Sequence, residues 1–329
     1  MVFAACTLDF TNWAGLITVG LMLSSFAIAL IYMIGTALRS PTISAWTRIE
    51  LYQLAATIFF VAGATFLMST ACSFNLQFFS PYYTLLPPGS PLIDFSSPHM
   101  DYFGASTLYL QNLQGLTYDF YSQVRDTLMK WEFRATVSDY KCLFLCMLFQ
   151  QGHSVDPGVG FYSKMGAGYL ALNSLLVGLL SLSSLLFMVF YAANGALPWL
   201  FPLGAFFRSM PYMRGFGGAV MALSLTLYLG LPLMLFMNAL LAYPALTGVH
   251  DYNTVSGGAP MYLPAGCAAG GIADDGSSCL ASIAVLAATT SFATIFLPAL
   301  DFIALVLIAR ELANLFGGEL DITRLSQLV

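Results

Sequence analysis

Charged residues are scarce in this 329-residue chain, at 8% of the sequence, whereas hydrophobic residues make up 58%. A soluble globular protein carries about 25% charged residues, because its surface must be solvated by water. The 11 Lys and Arg and 16 Asp and Glu are too few to coat a soluble domain of this length. The composition therefore excludes an ordinary soluble protein and predicts a chain that crosses a membrane several times.

The chain also lacks any run of Lys or Arg, and its net charge at pH 7 is −5. Both features argue against a dedicated nucleic-acid-binding surface. The sequence has no phosphate-binding GxxxxGK[ST] loop, no GxSxG or HExxH motif and no GxGxxG dinucleotide motif. These absences predict that the protein is not an enzyme and that it has no catalytic residues and no cofactor site.

The three histidines do not form a recognisable site either. The tetrapeptide HSVD at 153–156 places three catalytic residue types within four positions. A catalytic triad is assembled from residues that are close in space, so adjacency within one turn is weak evidence for it. His99 and His250 lie far from this turn in the sequence and lack the spacing of metal ligands. The sequence thus predicts no metal site.

Five stretches are long and apolar enough to cross a bilayer core of ~30 Å, which takes ~20 helical residues. They are Trp13–Leu38, Leu51–Ala71, Met165–Ala193, Gly215–Tyr243 and Leu280–Ala309. The first four contain no charged residue, and the fifth contains Asp301 alone. The predicted fold class is all-α, a polytopic membrane bundle of five transmembrane helices.

The positions of Lys and Arg predict the orientation of these spans, because short cytoplasmic loops carry an excess of positive charge. Six basic residues fall on one side: Arg39, Arg48, Arg208, Arg214, Arg310 and Arg324. Neither residues 1–12 nor residues 244–279 contain Lys or Arg. The N-terminus is therefore predicted outside and the C-terminus inside, in a multi-pass protein of the cell membrane. Arg208, Arg214 and Arg310 become the predicted basic residues of the inner face.

The spans divide the chain into four predicted parts. Residues 1–71 hold the first two spans, and residues 72–164 form a large helical extracytoplasmic loop domain. Residues 165–309 hold spans three to five, with a proline-broken inner elbow at 194–214 and an outer loop at 244–279. Residues 310–329 form a cytoplasmic amphipathic tail.

The large loop contains a predicted amphipathic helix, because its apolar residues recur at spacings of three and four. These residues are Leu113, Leu116, Phe120, Val124, Leu128 and Trp131. Two interpretations stay open at this point. The helix is either a lid over the bundle or a surface that contacts substrate or partner subunits.

All six cysteines lie on the predicted outer side or at its border: Cys6, Cys72, Cys142, Cys146, Cys267 and Cys279. An even number confined to one side indicates disulfides in an oxidising exterior. The alternative is that they are free cysteines, which are common as small buried residues. Cys267 and Cys279 share one loop and are the favoured pair. Cys142 and Cys146 lie four residues apart on a predicted helix, so we expect them to bond elsewhere, for example to Cys72 or Cys6.

Asp301 is the sharpest functional signal in the spans, because ionisable residues inside a membrane are rare and often functional. It lies nine residues before Arg310, which places it ~13–14 Å from the inner end of the helix and near the middle of the bilayer core. We expect it to face the bundle or a subunit interface, with Asn238 or Asn173 as its partner. Its role is either functional, as a coupling or binding residue, or structural, as a hydrogen bond within the bundle.

Two further patterns concern the packing of spans four and five. Pro232 and Pro298 are predicted to kink these spans. Small residues are dense in Gly215–Ala222 and Ala281–Thr290, which predicts close approach between helices.

The stretch FPLGAFFRSMPYMRGFGGAVMALSLTLYLGLPLMLF, at 201–236, resembles a region of archaeal relatives of the TrbL-like membrane channel subunit of type IV secretion and conjugation machines. The C-terminal GGELDITRLSQLV, at 317–329, is similar to the tails of the same proteins. The resemblance implies five spans, an outer N-terminus and a large exterior loop between spans two and three. It also implies a subunit that lines or gates a path for DNA or protein, with ATPase and pilus-type partners.

Other functions remain open beside this one. The chain could be a small-solute or ion transporter that uses Asp301, or an accessory scaffold subunit of another membrane complex. Expected partners in the leading interpretation are membrane lipid, further copies of the chain, ATPase and pilus-type subunits, and transiently the translocated DNA or protein.

We predict a disulfide between Cys267 and Cys279, since their glycine-rich loop has little apolar content to order it. Closing a loop of ~12 residues should stabilise it by about 3 kcal/mol in the chain-entropy model. Peptide mapping of the native protein under non-reducing conditions should recover the two residues in one linked peptide. Recovery of both as free thiols would contradict the prediction.

Overall fold

The computed structural model describes residues 10–73, 101–149, 159–210, 213–250 and 277–316. Within these ranges the chain is helical and contains no strand, so the predicted all-α class is confirmed. Five helical stretches are long and apolar enough to cross a membrane: Ile17–Ala37, Pro41–Cys72, Lys164–Ser209, Arg214–Ala242 and Cys279–Leu315. Each overlaps one predicted span, which supports a membrane protein. The orientation stays a prediction.

The helices follow one another along the chain with three π-helical interruptions. Helix α1 covers Phe10–Ala37, α2 covers Pro41–Ser73, α3 covers Tyr102–Phe149 and α4 covers Val159–Tyr191. The segment π1 (Ala192–Leu200) joins α4 to α5 (Phe201–Ser209). Helix α6 (Arg214–Leu225), π2 (Thr226–Gly230) and α7 (Leu231–His250) form the fourth span. Helix α8 (Ser277–Ser291), π3 (Phe292–Phe296) and α9 (Leu297–Leu315) form the fifth.

Each π-helical segment adjoins a Leu-Pro dipeptide. Pro198 lies within π1, whereas Pro232 and Pro298 each follow a π segment by two residues. Proline has no N–H to donate, and its ring clashes with the carbonyl four residues earlier. A locally wider turn relieves this clash while the helix continues. Where the sequence predicts kinks at Pro232 and Pro298, the helices therefore bulge without ending.

The third span extends further than the sequence predicts. The sequence predicts an end at Ala193, before an elbow at 194–214, but the helix continues through π1 and α5 to Ser209. Pro202 lies in the first turn of α5, where a missing N–H leaves no internal hydrogen bond unmade. Most of the predicted elbow is therefore helical.

Helices α5 and α6 pack antiparallel at a very short distance. A Cβ atom on Gly217 would lie 2.2 Å from the backbone nitrogen of Arg208. A Cβ atom on Gly204 would lie 2.8 Å from the backbone nitrogen of Met221. Because the obstructing atoms belong to the backbone, no side-chain rotation relieves the clash. Both positions require glycine, and the predicted close packing of Gly215–Ala222 occurs at this contact.

Helix α3, from the large loop, packs along the third span. The six apolar residues that predict this helix are all buried. Leu128 meets Gly168, where a Cβ atom would lie 2.3 Å from the leucine side chain, and Gln114 donates a hydrogen bond to Ser183 at 3.3 Å. These two pairs make α3 antiparallel to α4 over residues 114–128, which is about 21 Å of helix.

Helix α3 shares one hydrophobic core with the five candidate spans. Its charged positions lie on the opposite, exposed face, where Arg125 and Asp126 form an ion pair at 3.1 Å. The amphipathic face thus docks on the bundle. Placement of residues 72–164 outside the membrane stays a prediction.

Substitution of Gly217 by alanine should destabilise the α5–α6 hairpin, because the added methyl group forces the two backbones apart. Overpacking of this kind costs about 1–3 kcal/mol, and more where the backbone cannot shift. The measurement is the midpoint of thermal unfolding in detergent. Gly215→Ala is the matched control in the same helix, since a Cβ atom there meets nothing within 4 Å. Equal midpoints for the two variants would contradict the packing argument.

Candidate intramembrane polar site

Asp301 and Asn238 form a buried polar pair between spans four and five. Each residue retains 5% of its surface exposed. The side-chain amide Nδ2 of Asn238, in α7, donates a hydrogen bond to Oδ2 of Asp301, in α9. Asn173, the other predicted partner, lies on the exposed face of α4. The structure therefore brings together Asp301 and Asn238 and leaves Asn173 apart from them.

Tyr109 of α3 reaches the same place and was missed from the sequence. The side chain is 1% exposed, and its electrostatic interaction with Asp301 places the two groups near each other. Its phenolic oxygen is buried and has no hydrogen-bond partner among the described residues. The residue lies four positions before Leu113, so extending the predicted apolar face by one turn would have found it.

Two π segments lie close to this polar pair along the chain. Segment π3 ends five residues before Asp301, and π2 ends eight residues before Asn238. Gly230, the last residue of π2, packs against Leu305 of α9, where a Cβ atom would lie 2.8 Å from the leucine side chain. π-Bulges recur at functional sites, and irregular backbone at membrane depth is tolerated where protein buries it. The pair thus lies between two locally irregular helices.

The first turn of α3 packs against π2. The ring of Phe103 lies 5.0 Å from that of Tyr228, between ring centroids, and Tyr102 makes an edge contact with the same ring at 6.4 Å. The hydroxyl of Tyr228 lies 3.5 Å from the sulfur of Cys72, near the end of α2. Helix α3 is therefore held at its start as well as along the third span.

Cys72 and Cys279 are the cysteines whose side chains the structure describes, and each of them has an interaction partner. No disulfide joins two of the described cysteines to each other. Cys6, Cys142, Cys146 and Cys267 lie outside the residues whose side chains are described. The Cys267–Cys279 pairing therefore stays a prediction.

The three predicted inner-face arginines occupy different environments. Arg310 lies exposed on α9. Arg214, the first residue of α6, forms an ion pair with Glu50 of α2. This pair ties the beginning of the fourth span to the second.

Arg208 is the buried member of the set, with 6% of its surface exposed. Its guanidinium carbon lies 5.0 Å from the ring centroid of Phe60, in α2, and 5.9 Å from that of Phe316, just after α9. Such cation–π contacts stabilise a desolvated arginine by about 2 kcal/mol. The two rings and the α5–α6 hairpin enclose the side chain.

The chemistry available to the Asp301 site follows from its three groups. A carboxylate, an amide and a phenol can bind a cation or hold and pass a proton. In the described ranges no three His, Cys, Asp or Glu side chains lie close enough to hold a metal ion together. The absence of catalytic residues stays a prediction.

Replacement of Asp301 by leucine should destabilise the protein, because Asn238 then loses its acceptor in a buried place. Each polar group left unsatisfied costs about 1–3 kcal/mol. Asp301→Asn keeps the shape and one acceptor oxygen, so we expect a smaller effect. The measurement is the midpoint of thermal unfolding in detergent, with the exposed Asn173→Leu as control. An Asp301→Leu variant as stable as the control would refute the structural part of this role.

Comparison of the chain with protein families, with curated proteins and with solved structures finds no match in any of the three.

Proposed function

We propose that this chain is a non-enzymatic integral membrane subunit that lines or gates a translocation path, as in type IV secretion and conjugation machines. The observation that carries the proposal is the buried polar pair of Asp301 and Asn238, with Tyr109 beside it. A charged side chain at the bilayer centre costs about 2.5–3.5 kcal/mol on insertion scales. The position of Asp301 inside the bundle supports a role that an apolar residue cannot fill.

The helices around this site support a gate. Spans three to five each contain a π segment, and such bulges in helices occur frequently at functional sites. Helix α3 contributes Tyr109 from its buried face but presents charges on its other face. We assign α3 as the movable element, because its withdrawal from the third span would open the space beside Asp301.

The first two spans support assembly with other subunits. In the most apolar windows of spans one and two, 22% and 17% of residues are buried, compared with 56% for span four. Their apolar surfaces therefore face lipid or neighbouring chains. In this proposal the partners are further copies of the chain, ATPase and pilus-type subunits and the passing DNA or protein, in an archaeal cell membrane.

A small-solute or ion transporter is the second candidate function. It is favoured by the fact that Asp301, Asn238 and Tyr109 all belong to one chain, so a polar site exists without a partner subunit. Binding sites of transporters also lie beside interrupted helices near the middle of the membrane. Asp301 would then be the binding or coupling residue.

Purification from native membranes and reconstitution into liposomes separate the two functions. For the translocation subunit we expect co-purification with ATPase or pilus-type proteins and no ion or solute flux from the isolated chain. The variant Asp301→Asn should still co-purify. If the charge of Asp301 contributes more than 1.4 kcal/mol to gating, the transfer activity of the complex should fall at least ~10-fold.

The control is Asn173→Leu, which should keep both co-purification and transfer activity because this side chain lies on the exposed face of α4. Flux through the isolated chain that Asp301→Asn abolishes would replace the first function by the second. Full transfer by the Asp301→Asn complex would remove Asp301 from the gate. Co-purification with unrelated membrane proteins alone would favour an accessory scaffold.

A further inference from the structure

Arg208 is a buried cation, two of whose guanidinium nitrogens have no hydrogen-bond partner among the described residues. The residue is 6% exposed, yet Nε and Nη1 are buried without a hydrogen-bond partner among the described residues. Ring contacts with Phe60 and Phe316 stabilise the positive charge but accept no in-plane N–H. The N–H groups on Nε and Nη1 lie on different edges of the planar guanidinium, and the described side chains provide no acceptor for either.

Among the described side chains around Arg208, the charges do not balance. Glu50 is the acidic side chain that the described residues place here, and it is already paired with Arg214. Arg214 lies near enough to Arg208 for the two positive charges to repel each other. The three side chains together carry one excess positive charge, and a buried charge without a counterion is unfavourable. The imbalance points to a negatively charged ligand.

The shape of the site selects the kind of anion. A guanidinium group binds two oxygens of one phosphate or carboxylate through parallel N–H groups. Nε of Arg214 is also buried and unpartnered in the described structure, so a second arginine has a donor to offer. The two unesterified oxygens of a phosphodiester share one negative charge, which would balance the one excess positive charge of these three side chains.

The position of the site favours a lipid as the source of that phosphate. Arg214 begins the fourth candidate span, and Phe316, whose ring Arg208 contacts, directly follows the fifth. Basic pockets between membrane helices bind the headgroups of anionic lipids.

We propose that Arg208, with Arg214, binds the phosphate group of an anionic ligand at the ends of spans three, four and five, a phospholipid headgroup being the favoured source. This site is positively charged and lies on different helices from the Asp301 site. The binding proposal can therefore be tested independently of the function proposed above.

The test is the thermal unfolding midpoint of the detergent-purified full chain, titrated with phosphatidylglycerol, with inorganic phosphate and with chloride at matched ionic strength. Phosphatidylglycerol should raise the midpoint saturably, whereas chloride should not. R208Q should weaken the apparent affinity by about 10- to 100-fold, since a charge-assisted contact is lost. R208K should fall in between, because lysine offers a point charge without the fork.

R310Q is the matched control, since it removes an exposed arginine near the end of the fifth span and should leave the titration unchanged. Without ligand, R208Q should be at least as stable as the wild type, because it removes an unbalanced buried charge. If Arg208 served only as a structural cation–π partner, R208Q would instead be less stable than the wild type. A response to inorganic phosphate as strong as to lipid would make a soluble phosphate compound the source. An unresponsive wild-type protein, or an undiminished response in R208Q and R208K, would overturn the proposal.

Discussion

The hydrogen bond from Asn238 to Asp301 is the interaction around which the bundle is arranged. A bilayer offers no water to a carboxylate, so a chain with one in its apolar spans must provide the partner itself. Meeting that requirement fixes the rotation of α7 against α9 and brings the fourth and fifth spans together. Tyr109 of α3 lies buried near the carboxylate, without a hydrogen bond to it.

The π segments solve a second problem of backbone chemistry. Prolines in the last three spans remove N–H donors at places where lipid cannot replace them. Each of these spans contains a wider, π-helical turn beside its Leu-Pro dipeptide. Neighbouring helices cover the altered turn, as Leu305 covers Gly230. The same irregularity keeps the helices continuous on both sides of the Asp301 site.

The two arginines of the α5–α6 connection show how differently a bundle can treat the same side chain. Arg214 is neutralised by Glu50 from another span, whereas Arg208 is enclosed by two aromatic rings that stabilise its charge without balancing it. Close backbone contact at Gly217 holds Arg208 in this position, so its burial follows from the packing of the hairpin. A polar centre and a closely packed, positively charged end thus coexist in one bundle.

The sequence by itself determined the helical class, the five apolar spans and the buried face of α3, because hydropathy and spacing act locally along a helix. It also singled out Asp301 and narrowed its partner to two asparagines. Tertiary structure decided that the partner is Asn238, that Tyr109 joins them and that Arg208 is buried while Arg310 is not. Those outcomes depend on how helices distant in sequence rotate and pack against one another. The residue pattern of a single helix does not specify which residues of other helices it contacts. The extension of the third span past Ala193 has the same origin, since proline ends an isolated helix but is accommodated where adjacent helices cover the bulge.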